Sequence, residues 1–138
     1  MDDTWGPGAS LRIRLLAAAA AALTVAAALG IRAGATGLPG AAEKYAGDAL
    51  YTVLLHTLIV LAVPRVAPRT AAAVALAASW AVEFCQLTPV PAELSARSTL
   101  ARLILGSTFN APDLFWYAVG ALAAWLTHAM LRNGSITG

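Results

Sequence analysis

Polar residues are spaced so widely along the chain that four apolar runs stand out between them: residues 15–31, 49–63, 71–87 and 114–131. Each run holds 15 to 18 residues, slightly short of the roughly 20 that span hydrocarbon, so the polar residues at their ends fall in the headgroup layer. The first run reaches back to Leu11 if Arg12 and Arg14 snorkel. The pattern predicts an all-α, integral membrane four-helix bundle in a single domain of residues 1–138, with spans at about 11–31, 48–63, 71–87 and 113–131. Alanine dominates the first and third runs, and small side chains let helices approach closely in lipid.

The connections differ in kind. Residues 32–47, "RAGATGLPGAAEKYAG", form a Gly/Pro-punctuated loop, and 64–69, "PRVAPR", a tight turn whose prolines stop the second helix. Residues 88–112 are long for so small a protein. There Ser98 is placed to N-cap a short helix "TLARLIL" that Gly106 ends. Leu100, Leu103 and Ile104 share a face of it, as in an interfacial helix or, equally, a plug between the third and fourth helices. The segment from Arg12 to "AGA" at 33–35 also fits a secretory signal, and is read here as a retained span. The tails "MDDTWGPGAS" and "RNGSITG" are expected to fray.

Composition agrees with lipid. Of 138 residues, 59% are hydrophobic and 12% charged, with mean hydropathy +0.72; a soluble surface needs about twice that charge. A net charge of +2 without a basic stripe argues against nucleic acid. The single Cys85 excludes an internal disulfide and reads as a small apolar residue in a helix. The expected setting is multi-pass in the cell membrane, with lipid or a lipophilic small molecule as partner and self-association open.

A hairpin order of four helices puts Asp48, Glu83, Gln86, Asp113, Arg97 and Arg102 at one membrane face. The opposite face carries Arg12, Arg14, Arg65, Arg69 and Arg132, five cations against four (Arg32, Lys44, Arg97 and Arg102) on the polar side. That margin leans to cytoplasmic termini. Glu83 is the deepest acid, about 6 Å below the end of its run at 1.5 Å per residue. A carboxylate there must be protonated or paired: Arg97, Arg102 or a neutralising proton is the expected remedy, with the neighbourhood of Gln86, Arg97 or Asp113 expected within hydrogen-bond reach; a salt bridge that only pins helices is the plainer alternative. Asp48 and Asp113 stand at the heads of their runs, where helix capping is sufficient explanation, with Asn110 and Pro112 assisting at the fourth helix.

Each acid also has aromatics one helical turn away: Tyr51 for Asp48, Trp80 for Glu83, and Trp116 and Tyr117 for Asp113. They are either an interfacial aromatic belt or a pocket able to hold a cation. His56, eight residues past Asp48 on nearly the same face, reads as a packing residue or a proton relay. Gln86, Ser79 and Asn110 supply hydrogen-bonding groups.

The strings "GDALY", "VEFCQL" and "LILGSTFNAPDLFWYAVG" resemble the small bacterial membrane proteins catalogued as domain of unknown function 2809, over about residues 47–120. More distantly, the order of acid, Gln, Arg, Asp and Gly is similar to the VanZ-like family, linked with teicoplanin resistance. The resemblance implies four membrane helices with characteristic residues at Asp48, Glu83, Gln86, Arg97, Phe109, Asp113 and Gly120. It implies no activity.

Phosphate loops, HExxH, paired His ligands, acyl-transfer triads and Asp-rich magnesium motifs have no match, and no metal or cofactor is expected. Acid chemistry on a lipophilic substrate remains. Glu83, with Asp113 and Asp48, would protonate an isoprenoid, and Trp80, Trp116, Tyr117 and Tyr51 would hold the carbocation. Gln86, Arg97, Phe109 and His56 complete that site. The rival readings are a non-enzymatic binder of an amphiphile or lipid headgroup, and a small accessory subunit whose polar cluster meets a partner helix.

Overall fold

The computed structural model describes residues 7–34, 37, 39–105 and 109–137, and every regular element among them is a helix. In chain order these are α1 (Pro7–Arg32), α2 (Gly40–Ala62), α3 (Pro68–Cys85), α4 (Val90–Arg97), α5 (Thr99–Leu105) and α6 (Ala111–Thr137). Three segments are long and apolar enough to cross a membrane: Gly8–Arg32, Gly40–Ala62 and Ala111–Asn133. The α3–α4 pair, bent by 89°, makes a fourth if the two are counted together.

The side chains are distributed as lipid requires. Leu23, Leu15, Phe115 and Met130 face outward at 58% or more exposure, whereas the largest fully buried side chains are Glu83, Thr52, Pro91 and Ser79. A soluble core inverts this order, because water rewards burying large apolar groups. In hydrocarbon that reward vanishes, and helices associate through small residues and internal hydrogen bonds. Ala17, Val60 and Ala71 accordingly form the apolar centre, flanked by Ile13 and Ile59.

α2 and α6 approach closely at Gly120. A Cβ on Gly120 would run into the Ala49 carbonyl oxygen and lie 2.9 Å from Ala49 Cα, so only glycine permits this approach. The two helices run parallel: the chain separation between facing residues is 69 for Lys44 and Asp113 and 72 for His56 and His128.

Several boundaries differ from the expected spans of 11–31, 48–63, 71–87 and 113–131. The largest correction is at α2, which starts at Gly40 and turns half of the expected 32–47 loop into helix. Pro39 takes the extended conformation that precedes a helix (ψ 156°), and Glu43 complements the dipole in the first turn. Asp48 therefore sits two turns inside α2 and does not cap it. α6 continues through the expected C-terminal tail to Thr137, a polar segment that contains no proline to stop it. The third connection holds two helices where one was expected. The Ala101 N–H donates to Ser98 Oγ at 3.2 Å, the foreseen cap of α5; its expected end at Gly106 lies outside the described residues. The additional α4 begins at Val90–Pro91, with proline in its first turn.

Candidate polar site and cavity

Glu83 occupies the last turn of α3 with 0% exposure, and both its carboxylate oxygens are engaged. Oε2 accepts from the Asn110 backbone N–H at 2.6 Å, and Oε1 from the Tyr117 hydroxyl at 2.9 Å. Asn110 immediately precedes α6, and its own carbonyl accepts the Asp113 N–H at 2.9 Å. Glu83 thus delivers a carboxyl group from α3 to the N-terminus of α6, where N–H groups and the helix dipole favour an acceptor. This arrangement replaces the expected pairing with Arg97 or Arg102. Arg97 is exposed in the last turn of α4, and Arg102 donates to the Ser95 carbonyl at 3.1 Å.

The second cluster is built around Lys44, the chain's single lysine. Its Nζ lies 2.8 and 2.7 Å from the two oxygens of Asp113 and 3.8 Å from Asp48 Oδ2. Lys44 and Asp48 are one helical turn apart on α2, a relation visible in the sequence only once α2 is extended back to Gly40. Asp113 is 3% exposed, and the ammonium supplies the compensation that a buried carboxylate needs. The run pattern hid Lys44 as a member of this cluster, because it fell in a segment expected to be loop.

A cavity of about 840 Å³ opens beside this cluster. Its polar end is formed by Lys44, Asp48, Gln86, Asp113, Tyr51 and Tyr117, and Arg32 and Glu43 also reach it. Its apolar wall comes from α1 (Val25, Ala28, Leu29) and α5 (Leu100, Leu103, Ile104), so α5 is a wall of the cavity. Two buried acceptors here, Asp48 Oδ2 and Gln86 Oε1, have no hydrogen-bond donor among the described residues. The Gln86 Nε2 amide is committed to the Leu105 carbonyl, which ties α3 to α5 and turns the free oxygen of the same amide elsewhere.

The other expected site residues are dispersed. Tyr51 and Tyr117 pack with ring centroids 6.0 Å apart on the cavity wall. Trp80, by contrast, is 39% exposed and donates Nε1–H to the Leu114 carbonyl at 3.0 Å. Trp116 stacks on Tyr45 at 5.2 Å, and Phe109 on Phe84 at 6.1 Å. Trp80, Trp116, Phe109, Arg97 and Glu83 do not line the cavity. Ser79 bonds to Thr52 at 2.8 Å and to the Ala75 carbonyl at 2.9 Å. His56 is 3% exposed and pairs with His128, Nε2 to Nδ1 at 3.0 Å. His128 could have been suspected as the chain's other histidine, in the half of its run away from the acids.

These features describe an all-helical protein with three or four segments long and apolar enough to cross a membrane and its acidic residues clustered towards one end of them. The chain belongs to the family of proteins of unknown function DUF2809, whose model matches residues 37–121. That match covers both acid clusters, the broken connection and Gly120. No curated protein and no solved structure matches the chain.

Proposed function

We propose that this is a multi-pass protein of the cell membrane that binds an amphiphile, seating its polar head against Asp48 and Gln86 and its tail along α1 and α5. The observation that carries the reading is the pair of buried acceptors, Asp48 Oδ2 and Gln86 Oε1, on residues that line the same cavity. Asp48 Oδ2 has the Lys44 ammonium at 3.8 Å but no hydrogen bond, and Gln86 Oε1 has none either among the described residues, so a ligand that brings donors to these oxygens makes hydrogen bonds the protein leaves unmade. The volume of about 840 Å³ lies within the range of small-molecule sites. Asp48, Asp113 and Glu43 outnumber Lys44 and Arg32 around it, which favours an amine or hydroxyl head over an anionic one. In this arrangement α3 with α4 makes the fourth crossing, both termini face the cytoplasm, and the cavity opens on the other side.

The reading is tested by thermal unfolding in detergent with hexadecylamine, hexadecanol or palmitate added. The amine or the alcohol should raise the melting temperature of the wild type, and Asp48→Asn and Gln86→Leu should each suppress that rise. Stabilisation by palmitate alone, or equal stabilisation of both variants, would refute it.

One observation favours a second reading, acid-catalysed rearrangement of an isoprenoid. Asp48 shares the cavity with the Tyr51 and Tyr117 rings, a carboxyl beside faces that stabilise a carbocation. With both oxygens of Glu83 engaged, Asp48 becomes the proton donor of that reading. Membranes incubated with prenyl alcohols should then yield cyclised products that Asp48→Asn abolishes and Trp80→Leu leaves unchanged.

A further inference from the structure

Beyond the cavity, buried polar groups continue down the interface of α2, α3 and α6. Below Glu83 and Tyr117 lies the Thr52–Ser79 contact at 2.8 Å, with both residues 0% exposed. Below that is the His56–His128 pair at 3.0 Å. At the far end the Arg132 guanidinium donates to the Val66 carbonyl in the α2–α3 connection at 3.1 Å. On α2 the members are Asp48, Thr52 and His56, four residues apart, and on α3 Ser79 and Glu83, also four apart. Each is one turn from the next on a single face. From Asp113 to Arg132 the rise is roughly 28 Å, close to the thickness of the hydrocarbon layer.

We propose that this seam conducts protons across the membrane, with the His56–His128 pair as its obligatory step. Polar contacts that only fasten helices do not need to follow one another at successive turns, as Asp48, Thr52 and His56 do on α2, whereas a relay does. The histidine geometry supplies the transfer. His56 Nδ1 is buried without a hydrogen-bond partner among the described residues, while Nε2 faces His128 Nδ1. With His56 in the Nε2–H tautomer, a proton arriving at His56 Nδ1 makes an imidazolium. Its Nε2 proton passes to His128 Nδ1, and the half-buried His128 releases the proton on its own Nε2 to water at that end of the seam. One proton enters and one leaves; both rings end neutral in the opposite tautomer, and rotation resets them. The charged group nearest the pair is Arg132 on α6, with Asp48 two turns away on α2. The one-turn gaps between hydroxyls and imidazoles, roughly 6 Å, are the width that a single water or a rotating Thr52 hydroxyl bridges.

The experiment reconstitutes the full chain in liposomes with a trapped pH-sensitive dye and imposes a potassium diffusion potential with valinomycin. Wild-type vesicles should change internal pH about 10-fold or more faster than protein-free vesicles, and His56→Phe should return the rate to the protein-free level, a loss on the scale of removing a positioned proton-transfer group. His128→Phe provides the same test from α6 if His56→Phe does not fold. Wild-type flux equal to that of empty vesicles overturns the proposal. So does a folded histidine variant that keeps more than half of the wild-type flux. Amphiphile-induced stabilisation, measured on the same preparations, reports separately on the cavity.

Discussion

Glu83 and Asp48 are both carboxylates inside one helical bundle, yet their surroundings are opposite. Glu83 is completely buried, has a donor on each oxygen, and lies away from the cavity. Asp48 is half-buried, lines the cavity, and has an oxygen with no hydrogen bond from the protein among the described residues. Depth in the membrane therefore does not by itself mark a functional acid. A carboxylate whose acceptor capacity is filled by its own protein is locked in place. One with capacity left over beside a cavity is available to something else.

Glu83→Leu should have the largest effect. It strands the Asn110 N–H and the Tyr117 hydroxyl, and at about 1–3 kcal/mol for each buried orphan the loss is about 4 kcal/mol. Glu83→Gln should cost only about 1 kcal/mol, because its amide oxygen still accepts from Asn110 and Tyr117 can turn to accept from the amide nitrogen. Thermal or denaturant unfolding in detergent measures both. A Leu variant as stable as wild type would erase the distinction between the two acids.

Gly120→Ala comes next and bears on both regions, since it forces α2 and α6 apart at Ala49. Overpacking of this kind costs about 3 kcal/mol, and the same unfolding measurement should show it, together with a weaker response to hexadecylamine.

Lys44→Met leaves Asp113 buried without its cation. Lys44 is 46% exposed, so solvent screening limits the loss to about 1 kcal/mol. High salt should narrow the gap between variant and wild type in parallel melts.

Asp48→Asn should have the smallest effect on stability, within about 0.5 kcal/mol, while weakening amine or alcohol binding by about 10-fold, the value of one lost hydrogen bond to a charged group. Isothermal titration on the same variant checks this. A loss of stability comparable to that of Glu83→Leu would place Asp48 with Glu83 as a structural anchor.

The helical class and the apolar segments were legible in the sequence, as was the presence of three acids, Asp48, Glu83 and Asp113, among them. Hydropathy is local and additive, so a run of apolar residues reports its solvent without reference to any partner. Glu83 also stands out in the sequence as an acid that needs a partner, because the cost of burying a charge is a property of the residue and its depth. What compensates that charge was not readable. The sequence offered Arg97 and Arg102, nearby along the chain, but the bundle used a backbone N–H before α6 and the Tyr117 hydroxyl.

Helix packing brings Lys44 to Asp113, 69 residues away, and His56 to His128, 72 residues away. Both pairings follow from the parallel approach of α2 and α6, whose register depends on Gly120 admitting the Ala49 backbone. A helix pattern shows which residues share a face of one helix. It carries no information on which turn of another helix that face will meet, because that choice is made by close packing summed over the whole interface.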